Sequence, residues 1–584
     1  MRCPARLLHV AWSALRVSSS TPAVQPSLKV PRENNRFLCW PNANDSKQLL
    51  IRNQANFNQS SLPIWFGQLR SLAREQALSL SKKYLLEYAP SLAQSISLAD
   101  LDNTQLVVGG HQPELFHPGV WFKNFLLSEI GKRTNSVGLQ VIIDHDVARS
   151  DSLRVPTCSK TNVAERSAME FTQRTILLPI REESHAKQPW HATVADPLSQ
   201  AAWNKTLLDV RQAITACGLA QPLLVSRAQT LQECILATKN IGEAFSRFRH
   251  VIEMENGVYN LEVPIGHLCA ESAFGLFVLH CVRNSESLWG AYNGCRDSYR
   301  SRHKIRNQVQ PVLELQKRDD WLELPFWIYP TDSGAVVDRK RLWVRKQNSH
   351  MLLCDHVEAS LRTVSVALPL NEHELPNTWN AIQRSGICIR PRALMTTMYL
   401  RCFIADLFVH GIGGGTYDEL TDDIIRHWLG MDPPAYLTSS ASLHLPFETS
   451  SEVKQIDPST SWHAIQRELH LMRSVPERFL DRSIDAQRAL FESHLLHIAN
   501  IPERGKKISW HKEIAQIKLK IEAAIEPKRQ AACSKLDAIL REMQRSKILK
   551  SREYSFVLFE EQDVVVRLKK LAKAALRQGT EAGK

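Results

Sequence analysis

The sequence predicts an α/β protein with a parallel sheet core, inserted connecting segments and a helical arm at its C-terminus. Two units predict the sheet: a strand, a helix and a strand between residues 104 and 152, and further helices and strands between 387 and 446. The arm is predicted from residue 461 onward, where apolar residues recur at spacings of three and four, as on one face of a helix.

Composition narrows the class of protein. The chain has 584 residues, of which 43% are hydrophobic and 23% charged, as is typical of a globular protein. No apolar run approaches the roughly 20 residues that a membrane helix needs, so we expect no membrane partner. The 12 cysteines include no Cys-x-x-Cys pair. They favour reduced thiols in a cytoplasmic protein over a disulfide framework or a zinc ribbon.

The net charge of +13 is concentrated at the two ends of the chain. Residues 501–584 hold 20 Lys and Arg against 11 Asp and Glu, residues 1–36 hold six against one, and the stretch between is close to neutral. A nucleic-acid-binding protein more often carries a basic face on its main domain, so the charge pattern argues against a nucleic-acid partner.

The predicted organisation has five parts. Residues 1–45 are predicted to be a flexible leader, or to follow from a start codon placed too far upstream. Residues 46–150 and 346–455 supply the two halves of the core, and residues 151–345 supply insertions and connecting segments. Residues 456–584 form a helical coiled-coil domain, whose apolar seam predicts a homodimer.

Local patterns add four expectations. Apolar spacing predicts helices over residues 62–89 and 397–409, and residues 321–344 look rich in strand. In the arm, Pro527 interrupts the helical pattern, so we expect two antiparallel helices on either side of it.

The first unit has the pattern of a βαβ motif. Residues 105–108 form a short apolar strand that Gly109 and Gly110 are expected to end, and Pro118 opens a helix. Residues 139–143 form a second strand. Because the strands of a βαβ motif are parallel, the polar residues after each strand meet at one edge of the sheet, where ligands of such sheets bind.

Two polar clusters fall at that edge, residues 111–117 and residues 144–146. His117 and Gly119, at a strand-to-helix turn, can meet a phosphate, because a helix N-terminus offers free N–H groups and glycine permits close approach. Lys123 and Asn124 follow within two turns and add a charge and an amide. The alternative is that His117 only caps the helix or occupies the turn.

The second cluster is the triplet Asp144, His145 and Asp146. Two carboxylates around an imidazole suit a metal, a substrate amine or general base catalysis. The alternative is a helix cap and a turn, and no His-Glu-x-x-His sequence completes a zinc site.

A glycine-rich segment, residues 411–415, is predicted to be a flexible loop before a helix that Thr416 and Glu419 begin as a capping box. It includes Gly413, Gly414 and Gly415 and can cradle phosphate, but it lacks the Gly-Lys-Ser/Thr of a P-loop. A tight turn between helices is an equal alternative. His410 is expected to be a packed turn residue.

Upstream, Arg390 and Arg392 flank a proline. They can bind an anionic substrate or form salt bridges.

At these residues the chain resembles the bacillithiol biosynthesis cysteine-adding enzyme family. The family's Gly-Gln-Gln-x-x-Leu-Phe-Thr-Gly-Pro segment is similar to residues 110–119, Gly-His-Gln-Pro-Glu-Leu-Phe-His-Pro-Gly. Its Glu-Asp-His-Asp segment is matched by residues 144–146, and its Arg-Pro … Gly-Gly-Pro-Gly-Glu stretch is similar to residues 390–391 and 413–419. His111 and His117 stand where the family has Gln and Thr, and the Gly-Pro order is reversed, so the chain would be a divergent member.

The resemblance implies a Rossmann-like core, a coiled-coil domain, a dimer and formation of an amide between the cysteine carboxyl and the amine of a glucosaminyl-malate. We therefore expect an ATP-dependent ligase that joins cysteine or another amino acid to an amine acceptor and uses Mg²⁺. Asp144 and Asp146 would hold the substrate amine or a metal, and His145 would be the base. The residues expected to bind nucleotide or substrate are Gly110, His111, Gln112, Phe116, His117, Gly119, Lys123, Asn124, Arg390, Gly413, Gly414 and Gly415.

Two other functions remain open at this point. One is a metal-dependent hydrolase that uses His111, His117, Asp144, His145 and Asp146. The other is a non-catalytic assembly protein in which the basic coiled coil is the functional part.

Overall fold

The structure is a computed structural model and shows a mixed α/β protein. It describes residues 28–59, 62–96, 104–148, 152–163, 166–181, 188–195, 200–307, 312–330, 337–358, 363–367, 375–447, 458–505 and 507–577. The first 27 residues of the predicted leader lie outside the described residues.

The strands are β1 (Arg36–Trp40), β2 (Leu106–His111), β3 (Val137–Ile142), β4 (Ser152–Val163), β5 (Arg166–Leu177), β6 (Ile180–Arg181), β7 (Val194–Ala195), β8 (Leu261–Pro264), β9 (Lys317–Arg318), β10 (Trp321–Pro330), β11 (Lys340–Gln347), β12 (His350–Cys354), β13 (Thr363–Ala367), β14 (Ile387–Pro391), β15 (Leu407–His410) and β16 (Tyr436–Ser442).

The helices are α1 (Ser46–Phe57), α2 (Ile64–Leu86), α3 (Pro90–Gln94), α4 (Pro118–Thr134), α5 (Gln200–Ala216), α6 (Leu223–Ser226), α7 (Ala228–Ala237), α8 (Ile241–Glu255), α9 (Ile265–Leu268), α10 (Ser272–Arg283), α11 (Ser285–Arg302), α12 (Leu375–Arg384), α13 (Ala393–Tyr399), α14 (Ile412–Ile424), α15 (Pro458–Ser474), α16 (Asp485–Ala499), α17 (Lys507–Leu549) and α18 (Glu561–Ala575).

The main sheet has six strands in the order β1-β16-β15-β2-β3-β8. All neighbours are parallel except the edge strand β1, which pairs antiparallel with β16. The predicted βαβ motif is confirmed, because β2 and β3 are parallel and α4 connects them. The carboxyl ends of the five parallel strands therefore share one edge of the sheet.

Strand β2 continues through the glycines that were predicted to end it. Gly109 and Gly110 pair with Gln140 and Val141 of β3. A Cβ on Gly109 would lie only 3.1 Å from the Gln140 side chain, so the glycine accommodates a close neighbour within the strand. As a result His111, at the end of β2, reaches the sheet edge.

A second, antiparallel sheet has the order β13-β12-β11-β10-β14, and β9 pairs with β10 at its side. The prediction of strand over residues 321–344 is confirmed by β10 and the first part of β11. Strand β14 pairs with β10 in a register that sets Arg390 opposite Trp327. This places the predicted anion-binding arginine in the second sheet.

The predicted insertion, residues 151–345, holds elements of both sheets. It contains the long hairpin of β4 and β5, but also β8, which forms the edge of the main sheet beside β3. At the other edge, β1 lies inside the predicted leader of residues 1–45. That part of the leader is therefore an integral strand of the core.

Two expectations for the second half of the core were wrong. The predicted helix over residues 397–409 is in fact the end of α13, a π-helical turn over Leu400–Ile404 and then strand β15. Thr416 does not begin a helix, because α14 already starts at Ile412 and the Thr416 hydroxyl donates to the Ile412 carbonyl at 2.8 Å. The helix predicted over residues 62–89 is confirmed as α2.

The prediction that Pro527 separates two antiparallel helices was also wrong. α17 runs through Pro527 as one helix of 43 residues, and its antiparallel partner is the upstream chain of α15 and α16. His497 of α16 stacks on Trp510 of α17 at 5.2 Å, and Lys528 donates to the Phe479 carbonyl at 2.8 Å. A small apolar cluster that includes Met472, Ile521 and Ile525 holds these helices together.

After α17 the chain returns to the core. Phe556 is fully buried, its ring lies 4.5 Å from that of Trp121, and its N–H donates to the Phe116 carbonyl at 2.8 Å. Helix α18 then packs against α4. No helix in the described ranges is long and apolar enough to cross a membrane.

Candidate functional site

A buried lysine lies at the edge of the main sheet, where β2 and β15 end. Lys123 projects from α4, is 5% exposed and donates to the Gly110 carbonyl at 3.0 Å. Within the described residues no carboxylate forms an ion pair with it. Burial alone lowers the pKa of its ammonium group to about 8. A cation held away from water without a counter-charge is a ready partner for an anion.

Three imidazoles share the surroundings of this lysine. Burial lowers the pKa of His111, His117 and His410, and nearby cations, Lys123 among them, lower each of them further, although Asp418 opposes the shift of His410. For His117 the resulting pKa is about 3. The three rings are therefore neutral near pH 7, and Lys123 is the cation beside Gly110.

The glycine-rich segment is the first turn of α14 and not a flexible loop. Gly411 is its N-cap and has no side chain to cap the free N–H groups, and a Cβ on Gly411 would lie 3.9 Å from Lys123 Nζ. Gly413 has open space around it, whereas Gly414 packs against His410 and Gly415 against Thr438. We call the space between β2, β15 and this turn the lysine crevice, defined by Gly110, His111, Lys123, His410 and residues 411–414.

His410 itself is held from below. Its Nε2 lies 2.6 Å from Asp418 Oδ2, and the same carboxylate group accepts from Arg401 at 2.6 Å and Thr397 at 2.7 Å. These partners make His410 a packed residue, as predicted, that fixes the position of α14 against β15.

His117 and Gly119 lie at the N-terminus of α4, as predicted, but the cation beside them is Arg552 and not Lys123. His117 Nδ1 accepts from the Gly119 N–H at 3.1 Å and so caps the helix. A Cβ on Gly119 would collide with the Ala441 carbonyl and the guanidinium of Arg552. Arg552 in turn donates to Ser440 Oγ at 2.9 Å.

The acidic triplet, residues 144–146, lies beside Gln112, the first residue after β2. Gln112 Nε2 donates to Asp146 Oδ2 at 2.9 Å, and Gln112 Oε1 accepts from Trp190 at 3.2 Å. Asp144 Oδ1 accepts at 3.0 Å from the N–H of Gly266, which lies in α9 directly after β8. The two polar segments predicted to meet at the sheet edge are therefore joined by a direct hydrogen bond.

His145 is 2% exposed, and its Nδ1 has no hydrogen-bond partner in the described part of the chain. Burial lowers its pKa, although the charges of Asp146 and Asp144 oppose the shift. Around it lie His191, whose Nδ1 is 3.0 Å from the Asp144 carbonyl oxygen, and Tyr329, whose ring stacks on that of His191 at 6.0 Å.

Arg390 completes this group from the second sheet. Its guanidinium lies 5.9 Å from the Tyr329 ring, and its charge acts on the pKa of both His145 and His191. Arg390 Nε and the Tyr329 hydroxyl are buried atoms that find no partner among the described residues. We call this space the triplet pocket, defined by residues 144–146, His191, Tyr329 and Arg390. Three unsatisfied polar atoms in one place are typical of a site that a ligand completes.

The two other predicted residues have structural roles. Phe116 packs against His111 at 4.5 Å and Phe556 at 5.6 Å, so it belongs to the core. Arg392 pairs with the fully buried Glu323 at 2.7 Å, as its salt-bridge alternative predicts.

A buried ionic network that the sequence did not reveal supports the lysine crevice. Asn124 lies 3.2 Å from His111 Nε2 and donates to Glu253 at 2.7 Å, and Glu253 also accepts from Arg249 at 2.7 Å. Arg249 continues to Glu262 on β8. The network ties α4, α8 and β8 together behind the site. Arg249 and Glu253 are four residues apart on α8, but no sequence spacing connects this pair with Asn124 or Glu262.

Metal binding finds little support in the arrangement. Among the described residues, His250, Glu253 and Glu262 form the group whose ligand atoms lie within 4.8 Å of one another. Each already has hydrogen-bond partners, from Arg249 and Tyr88 among others. Two of the residues expected for a hydrolase have other partners, because His117 lies beside Arg552 and the Asp144 carboxylate accepts from the Gly266 N–H.

No protein-family model matches this chain, and a search of curated proteins finds no match either.

Proposed function

We propose that this chain is an ATP-dependent ligase that joins cysteine, or another amino acid, to an amine acceptor such as a glucosaminyl-malate. The observation that carries the proposal is Lys123, a buried cation without a carboxylate partner among the described residues, facing the glycine-rich first turn of α14. One strand away lies a pocket of carboxylates, imidazoles and a guanidinium. The resemblance to the bacillithiol biosynthesis cysteine-adding enzyme family supplies the substrate class.

The strand order supports a Rossmann-like core. In chain order the five parallel strands of the main sheet are β2, β3, β8, β15 and β16, and across the sheet they follow 3-2-1-4-5. This is the order of a doubly wound nucleotide-binding sheet, in which the ligand binds where the order reverses. The reversal lies between β2 and β15, and the lysine crevice is at the carboxyl ends of these two strands.

The residues of the lysine crevice fit a nucleotide phosphate. Phosphate would supply the negative charge that Lys123 lacks, and the free N–H groups at the start of α14 would donate to its oxygens.

The crevice does not fit Mg²⁺ held by the protein. Asp418, the carboxylate that contacts His410, is already occupied by Arg401 and Thr397. Mg²⁺ in nucleotide sites is usually held by one or two carboxylates together with phosphate oxygens. We therefore assign no step of the reaction to the ion.

The triplet pocket supplies groups for the amide-forming step. Asp144 and Asp146 can hold an ammonium group, and Arg390 can hold a carboxylate. The amine attacks the activated carboxyl carbon, the phosphate-bearing group leaves, and the amine must lose a proton. His145, kept neutral by burial, can accept that proton.

The proposal extends to assembly and location. Exposed apolar side chains cluster where α16 turns into α17, and Leu496 and Ile508 are 67% and 74% exposed. We infer that a second copy of the chain covers this end of the arm. The described cysteines are all free thiols, which supports a cytoplasmic protein.

The proposal is tested by calorimetric titration of the full chain with ATP and by a ligation assay with cysteine and a glucosaminyl-malate. Lys123→Met should lose ATP binding by about 10-fold or more, because a charge-assisted phosphate contact is removed. Lys132→Met is the matched control, since Lys132 lies on the same helix with its side chain 53% exposed. Asp144→Asn should still bind ATP but lose ligation.

Two results would contradict the proposal. One is a wild-type chain that binds neither ATP nor ADP. The other is ATP binding by Lys123→Met that matches the wild type.

A further inference from the structure

The segment that follows the helical arm places a second, partly buried cation at the sheet edge. Arg552 lies three residues beyond the end of α17, and its side chain is 15% exposed. It donates to Ser440 Oγ at 2.9 Å and to the Ala441 carbonyl at 3.0 Å, at the carboxyl end of β16. The side chain of Arg552 therefore connects the segment after the arm with the edge of the main sheet.

The charge of Arg552 is poorly matched by its surroundings. Its hydrogen-bond partners are a hydroxyl, a backbone carbonyl and the neutral ring of His117, so none of them carries a negative charge. The carboxylate beside it, Glu553, is 3.7 Å from Nε and 57% exposed to water. Nε itself is buried and has no hydrogen-bond partner within the ranges that the structure describes. Structural arginines are usually paired when buried, as Arg401 is with Asp418.

Arg552 and Lys123 act on the same neighbour. The Nδ1 atom of His117 lies 3.5 Å from Arg552 Nη2. The charges of Arg552 and Lys123 both lower the pKa of the His117 ring. The two cations thus lie along the same helix, Arg552 beside the N-cap residue of α4 and Lys123 within two turns of it. An anion of more than one negative charge would relieve both, and a planar guanidinium can bind two of its oxygens at once.

We propose that Arg552 is a further phosphate-binding residue, so that the segment returning from the arm completes the nucleotide site. This inference rests on the proposed function. Because a residue that binds the ligand is stabilised by it in turn, ATP should also order residues 550–556. The alternative is a latch, in which Arg552 only fastens this segment to β16.

The experiment compares ATP binding by the wild type, Arg552→Gln and Arg552→Lys, using calorimetry on the full chain. Arg552→Gln should weaken ATP binding by about 10- to 100-fold, and Arg552→Lys should recover part of the loss, because it restores the charge but not the paired donors. Arg567→Gln is the matched control. Arg567 fastens the same C-terminal region through Asn35 and Asp563, away from the crevice.

Hydrogen exchange provides a second measurement on the same proteins. Amides of residues 550–556 should exchange more slowly when ATP is added to the wild type, and this protection should be lost in Arg552→Gln. A latch predicts a different result, in which Arg552→Gln speeds exchange of the free protein and leaves ATP affinity unchanged. The denaturation midpoint of each variant separates a loss of binding from a loss of fold.

Each outcome decides the matter. Wild-type ATP affinity in Arg552→Gln, with the wild type binding ATP normally, overturns this inference and leaves the proposed function standing. A wild type that binds no ATP overturns both. If Arg552→Gln fails to fold, Arg552→Lys decides, and affinity equal to that of the wild type in the folded Lys variant overturns the assignment of paired donors.

Discussion

At the scale of single residues, Lys123 is the most informative. A lysine that is 5% exposed would normally be paired with an acid, but its partner here is the Gly110 carbonyl. The shift of its pKa from 10.5 to about 8 corresponds to about 3 kcal/mol of unfavourable free energy in the charged form. Such an arrangement costs stability and is best explained by a ligand that offsets it.

The first prediction concerns pH. Lys123 is a cation below about pH 8 in the free protein, so ATP affinity should fall by about 10-fold between pH 7 and pH 9. Lys123→Met should show no such fall. Titration calorimetry at pH 7, 8 and 9 measures this, and equal slopes for both proteins would refute it.

The ammonium group of Lys123 also makes the free energy of unfolding depend on pH, and the direction of that dependence follows from its pKa. Its pKa is lower in the folded chain than the ordinary value of 10.5. Between about pH 8 and 10.5 the unfolded chain holds the proton that the native chain has released, so its contribution to the free energy of unfolding rises with pH.

Residues near one another in sequence were predictable, and distant ones were not. Spacing and resemblance identified His117, Lys123 and the acidic triplet because each follows a strand of the βαβ motif. Nothing in the sequence connects Arg552 with His117, although they are in contact. Tyr329 and His191 escaped prediction for the same reason, since the second sheet brings Tyr329 to His191.

At the scale of elements, two errors of prediction have a physical cause. A proline lacks an N–H and usually ends a helix, but Pro527 is exposed, and packing of Ile521 and Ile525 holds α17 on its course. Three consecutive glycines suggest a loop, but here they occupy the first turn of α14, because Gly414 and Gly415 pack closely on His410 and Thr438. In both cases tertiary contacts outweigh local preference.

The second prediction follows from that proline. Pro527→Ala restores a backbone hydrogen bond inside α17 and should raise the free energy of unfolding of the arm by about 1–3 kcal/mol. Circular dichroism at the helix band, followed through thermal unfolding, measures the change. Gln530→Ala, an exposed substitution on the next turn, should have little effect, and an unchanged or lower midpoint in Pro527→Ala would show the prediction to be wrong.

At the scale of the whole molecule, the order of the elements along the chain does not show the order of the strands in the main sheet. The βαβ motif was predictable because its strands are consecutive, whereas β8 has four residues and lies within a long insertion. Strand β1 pairs with β16, some 400 positions away along the chain, and no local pattern announces this. The sheet order could therefore not be worked out beyond its first two strands.

The third prediction concerns the assembly. If two copies meet at the turn between α16 and α17, replacing Leu496 and Ile508 with Glu should convert a dimer to a monomer, which sedimentation velocity detects. Leu208→Glu, a residue of α5 that is 53% exposed, is the matched control and should remain dimeric. A wild-type chain that sediments as a monomer at every concentration would rule out the dimer.

The contact of Arg552 with the end of β16 also shows how the arm is joined to the core. β16 ends at Ser442, and after α17 the chain comes back at Arg552, whose side chain touches Ser440 and Ala441, so Arg552 lies beside the end of β16. Because the chain returns beside the strand after which it left, a short linker could replace the arm without stretching the core.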